Sequence, residues 1–423
     1  MDLRPSHRRP GPPISVQEAW AALPPDLGAV WLQDGQTGEA LLAAADLCLA
    51  SHWIHGAWQT KLDGAPWPGS PWDALAEALR ASAHPWIGAA TYELACDEAG
   101  HPRKPLPEGT LGQCWIRPAW ALHWGPGGVE AWSWGAEPCL PALPPGPAAR
   151  PKGRVDGLVP AWSEGQHQAA VAGIQEAILS GRFYVANLCV PFASRFEGDP
   201  LALAEAVLGQ AAPPFGALLR WKDRHLLSLS MERLLGRRGD RLWSEPIKGS
   251  APLIGCADQD AEAARALAAD PKERAEHTMI LDLIRNDLGR VAQSGSVRVS
   301  EAMALRAYPT VQHLVSTVEA RAQAGLGLAD LLRAVLPGGS VTGAPKHAVC
   351  GHLAAVEAAP RGFYCGALGW VAPWGDLDLA LPIRTAQVQG DALTYWAGGG
   401  ITRRSDPARE WAELALKTRA LTL

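Results

Sequence analysis

Along this chain the apolar positions form short alternating runs broken by turns, with helical spacing in only a few stretches. Gly28-Ala29-Val30-Trp31-Leu32 predicts a strand, and Pro71 to Ser82 predicts a helix. From Ser163 onward the pattern tightens. His167 to Leu179 has helical spacing and stops at Ser180-Gly181, a C-terminal cap signal. Phe183 to Phe196 then predicts a strand, and Ala217 to Arg220, His225 to Leu229 and Arg241 to Ser244 predict further short strands in a meander. Strands and helices that do not strictly alternate point to an α+β fold. Between Glu137 and Pro160 seven prolines are interspersed with glycine and alanine. That stretch cannot hold a regular helix or a central strand, so it predicts a surface linker. The expected organisation is therefore an N-terminal region over 1–136, a linker over 137–162 and a C-terminal domain over 163–423.

Composition narrows the class. Hydrophobic residues make up 48% of the 423 and charged residues 19%, which suits a globular enzyme with ample core. The net charge of -5 and the lack of a basic block argue against a nucleic-acid surface. No apolar run is long enough for a membrane span, and the proline-rich Met1 to Pro13 has no apolar core of a secretory signal. The eight cysteines are scattered without a Cys-x-x-Cys pair, which fits reduced thiols and predicts a cytoplasmic protein.

Two helix openings resemble each other. Asp270 can cap a helix with Pro271 in its first position and Glu273 three residues after the cap; Glu276 follows one turn later. Asp406-Pro407 repeats the start signal, with Glu410 and Glu413 again three apart and Lys417 one turn further. Taken alone, acids near a helix start answer the helix dipole, and Glu413 with Lys417 is an ordinary surface pair.

Lys248, in Pro246-Ile247-Lys248-Gly249-Ser250, would alone be a solvated turn lysine. Its company changes that reading. Downstream come Ala275-Glu276-His277-Thr278-Met279-Ile280-Leu281-Asp282-Leu283-Ile284-Arg285-Asn286-Asp287, then Pro337-Gly338-Gly339-Ser340-Val341-Thr342-Gly343-Ala344-Pro345-Lys346, Pro382-Ile383-Arg384-Thr385 and Ala397-Gly398-Gly399-Gly400-Ile401. Together these resemble the chorismate-utilising enzymes, the family of anthranilate, aminodeoxychorismate, isochorismate and salicylate synthases. Lysine at position 248 resembles the aminodeoxychorismate-forming branch, against alanine in anthranilate synthases.

The resemblance implies a fold of two large antiparallel sheets packed face to face as a β-sandwich of intertwined repeats, flanked by helices. It implies Mg²⁺ held by Glu276 and Glu413, with Glu273 and Glu410 in support. A small hard cation takes carboxylate oxygens and keeps places for water and substrate, whereas converging acids without a cation repel one another. Chorismate is a dianion with a ring hydroxyl. For its binding the resemblance implies Arg384, Lys417, Tyr364, Ser340 and the backbone of Gly399 and Gly400. Glu232, in Ser230-Met231-Glu232-Arg233, would protonate the departing hydroxyl, for which its pKa must rise towards neutrality. Lys248 would attack the ring as a neutral amine, and ammonia would then displace it to give 4-amino-4-deoxychorismate for p-aminobenzoate and folate synthesis. His313, which could also be a satisfied core residue, is a further candidate for the catalytic pocket.

No cysteine sits in a nucleophile-elbow context, so ammonia is expected from a separate glutamine amidotransferase subunit, and aromatisation from another protein. Several positions depart from the family pattern. Val185 and Ala186 stand in a segment that usually carries glutamine, Met231 replaces a proline, and Leu253 replaces an arginine. The tryptophan-feedback motif is replaced by Trp31-Leu32-Gln33-Asp34. Alternatives are an anthranilate synthase component I, an isochorismate-forming enzyme, or a non-catalytic chorismate-binding subunit.

Overall fold

The computed structural model describes Met1 and residues 3–134, 151–309 and 311–421. Every strand pairing among them is antiparallel. The pairings form one long ladder. At one end Arg298–Ala307 pairs with Val311–Arg321, which pairs with Arg241–Glu245 and Ile247–Pro252. The ladder continues through Arg233–Arg238, Leu377–Ala380, Ala367–Val371 and Trp86–Ala90. It crosses Leu111–Gly125, Ala40–Ile54 and Ala29–Gln33. It then returns through Phe215–Trp221, Arg224–Ser230, Thr385–Gln389 and Ala392–Ile401 to Val185–Glu197. The fold is α+β, a large antiparallel sheet with helices packed on it. Strands from before and after the proline-rich stretch hydrogen-bond directly to each other. The main core likewise joins Trp72, Leu75 and Trp115 to Ile284, Leu332 and Leu379.

Local chemistry explains the helices. Pro71–Arg80 begins behind Ser70, whose side chain accepts from Asp73 N–H, and it buries Trp72, Leu75, Ala76 and Leu79 on one face. Removing the Trp72 ring should cost about 3–5 kcal/mol. The expected helix from His167 instead starts at Glu164, because Ser163 and Gln166 form a capping box upstream of the apolar periodicity. It ends as expected at Ser180, followed by Gly181 with φ 77°. With Thr91 as cap, Tyr92 and Glu93 open the helix Tyr92–Glu98. Most of the expected linker, 137–150, lies outside the described residues. The remainder is tied to the sheet edge, where Arg154–Val155 and Val159–Pro160 pair with Val185–Glu197. Pro160 is tolerated there because an edge position does not require its missing N–H.

The two acid-bearing helices sit at opposite ends of the ladder. Pro271–Gly289 packs on Ile247–Pro252 and Val311–Arg321, while Pro407–Thr418 packs on Ala392–Ile401. Asp270 caps the first through Glu273 N–H, and Asp406 caps the second through Ala408 and Arg409 N–H. The ladder curls so that these two ends meet.

Candidate active site

The meeting point is the glycine run at the end of Ala392–Ile401. Past Tyr395 this strand has a partner on one edge only, Val185–Glu197. Side chains crowd the glycines from both helices. A Cβ on Gly399 would lie 3.1 Å from Glu410 Oε2 and 4.0 Å from Lys417 Nζ. A Cβ on Gly400 would lie 3.1 Å from Lys248 Nζ and 3.7 Å from Glu276 Oε2. Glycine is needed here for space: a side chain would fill the region where these charged groups face each other.

Lys248 is aimed by a break in its strand. Register against Val311–Arg321 shifts between Lys248 and Ser250, with Gly249 between them at φ 70°. A Cβ on Gly249 would approach Glu273 Oε2 to 3.2 Å, so this acid stands beside the lysine's own backbone. Glu413 reaches the glycine strand indirectly. It pairs with Lys417 Nζ at 2.7 Å, and that ammonium donates to Gly398 O at 2.6 Å.

Glu232 is 5% exposed. Burial pushes its carboxyl up to about 7, against the lowering effects of a hydrogen bond from Ser340 Oγ, the charge of Lys248 and the N–H of Ile247. Its backbone is pinned by Leu381 N–H donating to Glu232 O. Ser340 lies on the single turn Gly339–Val341, which Thr342 ties back to Gly338 O at 2.8 Å.

His313 lies across the strand pair from Ser250. Its Nδ1 donates to Gly249 O at 2.9 Å, since a carbonyl can only accept, and its Nε2 is 3.3 Å from Met231 Sδ. Burial, with Arg384 and Lys417 nearby, lowers its pKa to about 4, so the ring is neutral at pH 7. Arg384 has a left-handed backbone (φ 50°) and donates to Met231 Sδ at 3.4 Å. It makes no ion pair among the described residues, and burial lowers its pKa. A sheltered guanidinium whose side-chain hydrogen bond, among the described residues, goes to a thioether is poised for an anion.

Tyr364 is almost wholly buried. Its ring is buried in the main core, stacked on Trp396 at 6.1 Å, and burial raises its phenol well above the usual range. Three contributors were not picked out from the sequence. His277, fully buried, bonds Ser316 Oγ through Nε2 at 2.7 Å and is held near 4 by burial and by Lys248. Its position on the buried stripe with Ile280, Leu281 and Ile284 was the available signal. Met231, at a departure from the family pattern, brings its sulfur between His313 and Arg384. Arg361, 1% exposed, donates to Val341 O and Asn187 O, both at 2.8 Å, and pairs with Glu357 at 2.6 Å. It thereby links the turn carrying Ser340 to the strand facing Gly400.

Among the described residues no three His, Cys, Asp or Glu side chains form a ready-made metal cage. The acids come instead from two helices, with Glu276 and Glu410 oxygens against adjacent glycines. That set fits Mg²⁺, which usually takes one or two carboxylates and fills its remaining positions with water and substrate oxygens.

Residues 31–423 match the family described as chorismate binding enzyme. An aminodeoxychorismate synthase component 1 from Klebsiella aerogenes is 42% identical over 240 residues, 57% of this chain and 53% of that protein. An anthranilate synthase component 1 from Haloferax volcanii is 39% identical over 261 residues, 61% of this chain and 50% of that protein. The chain thus spans about half the length of the curated relatives it matches. In structure it is similar to anthranilate synthase component I from Streptococcus pneumoniae, with TM-score 0.79 and 24% identity over 91% of this chain and 92% of that one. No helix among the described residues is long and apolar enough to cross a membrane. With the family match spanning nearly the whole chain, this protein belongs to the chorismate binding enzymes.

Proposed function

We propose that this protein aminates chorismate to 4-amino-4-deoxychorismate, in the biosynthetic direction of p-aminobenzoate and folate. The observation that carries the reading is Lys248 Nζ, aimed across a Gly249 bulge at Gly400 and Glu276 and close enough to Glu232 to act on its charge. Arg384, without a carboxylate partner among the described residues, takes one carboxylate of the substrate, and Lys417 with the glycine backbone supports the site's anion-binding side. Glu276 and Glu413, with Glu273 and Glu410, would hold Mg²⁺, which when bound supplies Lewis-acid stabilisation of the ring carboxylate.

Glu232, protonated in part near neutrality, gives its proton to the C4 hydroxyl. Lys248 nitrogen bonds to C2 as the ring double bonds shift, and the C4–O bond breaks to release water. Ammonia then forms a bond to C4 while the C2–lysine bond breaks, returning the amine. His313, neutral and fixed by Gly249 O, holds the lysine-bearing bulge. The ammonia would come from a separate glutamine amidotransferase subunit, a reading supported by the component 1 names of the relatives.

Purified protein with chorismate, Mg²⁺ and ammonium chloride should accumulate 4-amino-4-deoxychorismate, identified by chromatography and mass. Relatives named anthranilate synthase match almost as well, so anthranilate is the product to look for against this reading. Anthranilate or isochorismate as the main product would overturn it.

A further inference from the structure

A second cavity, of about 330 Å³, lies away from the glycine run. It rests on the sheet face made by Phe215–Trp221, Arg224–Ser230, Thr385–Gln389 and Ala392–Ile401, and the loop through Gly362 and Phe363 closes over it. Its walls include the rings of Trp221, Phe363 and Trp396 and the side chain of Leu226. None of Lys248, Glu232, His313, Ser340, Arg384 or the four helix acids lines it.

Its polar groups divide into committed and uncommitted ones. Gln387 is a strut: its Oε1 accepts from Phe363 N–H at 3.3 Å, and its Nε2 donates to Arg361 O at 3.1 Å. Arg224 also lines the cavity, and its guanidinium makes no ion pair or hydrogen bond among the described residues. The nearest acid in sequence, Asp223, accepts from Gln389 at 3.2 Å. A larger cavity of about 410 Å³ offers a contrast. There Arg233 is paired with Asp378 and Glu245, Arg306 with Glu245 and Glu301, and Arg238 donates to the carbonyls of Arg237 and Leu377, so those cations are already engaged.

Three aromatic rings around an apolar floor, with one uncommitted guanidinium, match a flat ring that ends in one negative charge. We propose that this cavity binds a small aromatic carboxylate, its ring among Trp221, Phe363 and Trp396 and its carboxylate on Arg224, and that the occupant acts as an effector of the catalytic site. The route is short. Phe363 and Gly362 follow Arg361, whose guanidinium holds Val341 O next to Ser340 and Asn187 O opposite Gly400. A ligand that shifts the Gly362–Phe363 wall therefore moves the anchor of the turn that hydrogen-bonds Glu232. Binding stands independently of the proposed reaction; the effector role rests on it.

The probe is 4-fluorobenzoate, followed by fluorine NMR on the full chain. Saturable binding tighter than about 1 mM is expected, and Arg224→Gln should weaken it at least about tenfold while Arg384→Gln leaves it intact. Circular dichroism would confirm that both variants are folded. The reverse pattern, with binding lost in Arg384→Gln and kept in Arg224→Gln, places the probe in the catalytic site and overturns the proposal, as does the absence of saturable binding. At saturating chorismate the probe should change kcat of the parent and not that of Arg224→Gln. Intact binding with unchanged kcat removes the effector role alone. If the parent does not turn over chorismate at all, the proposed reaction fails while the NMR result still decides the site.

Discussion

Glu232 and Glu93 are both buried carboxyls, and burial lifts each to about 7. Their surroundings differ in kind. Glu93 accepts two backbone N–H groups, from Arg361 at 2.6 Å and Gly362 at 3.0 Å, and so anchors a buried backbone segment. Glu232 is held by a serine hydroxyl and stands within the field of Lys248, next in sequence to Met231, whose sulfur meets Arg384 and His313. A raised pKa therefore does not by itself mark a catalytic acid. What separates the two is whether the neighbours are fixed backbone, or side chains grouped around space for a ligand.

Neutralising each acid in turn should separate the two carboxyls most clearly. Glu232→Gln should lower chorismate turnover by about 10²–10⁴, the usual contribution of a general acid, with little loss of thermal stability. Glu93→Gln should keep turnover within about tenfold of the parent. Equal losses in two folded variants would erase the distinction. Lys248→Ala should similarly reduce 4-amino-4-deoxychorismate formation by at least about 10², and product analysis should show a shift towards anthranilate. Unchanged rate and product would remove the covalent role while leaving family membership untouched.

The network around Glu93 should respond in stability instead. Arg361→Met leaves Glu357 buried without its cation and frees Val341 O and Asn187 O, so urea unfolding should report a loss of about 3–5 kcal/mol. Glu93 itself should show a pH signature. Its folded pKa of about 7 exceeds the model-compound value of 4.5, so its unfolded form gives up the proton first. The stability it supports is complete below pH 4.5 and is lost as pH rises through 7, on the order of 3 kcal/mol. Buried neutral histidines such as His277 and His313, held near 4, work in the opposite direction as pH falls. The difference between parent and Glu93→Gln unfolding curves isolates the one group; parallel curves from pH 4.5 to 7 would show that Glu93 is not protonated in the fold.

The sequence and the fold differ in how much of this they expose. Motifs at family spacing carried the glycine run, Lys248, Glu232 and the two acid helices, because each motif is a local chemical requirement: a cap, a turn or a close approach. Asp406-Pro407 reads as a helix start in sequence and is one in the fold. What stayed hidden was long-range. The meeting of the ladder's two ends depends on register between strands far apart in sequence, and Arg361 acts through partners that lie 20 and 174 positions away. His277 was legible only as a polar residue on the apolar stripe of its helix, and its bond to Ser316, 39 positions away, was not. Tyr364, expected at the substrate from its motif, has its ring stacked on Trp396, a packing partner that local sequence does not show.

The smallest expected effect is the most selective test of Glu232. Ser340 Oγ donates to Glu232 Oε1, and this bond favours the charged carboxylate, pulling the pKa down against burial. Ser340→Ala removes that pull without adding a charge. The folded pKa should then rise above 7 by about one unit, and the proton-donating form should persist to higher pH. The alkaline limb of kcat/KM for chorismate should move upward accordingly, with a modest drop in the plateau. Glu93→Gln should leave the limb where it is, because Glu93 bonds the backbone of Arg361 and Gly362 and, among the described residues, neither Glu232 nor Ser340. A limb that moves with Glu93→Gln and stays fixed with Ser340→Ala would assign the titrating acid to the buried network and reverse the roles of the two carboxyls.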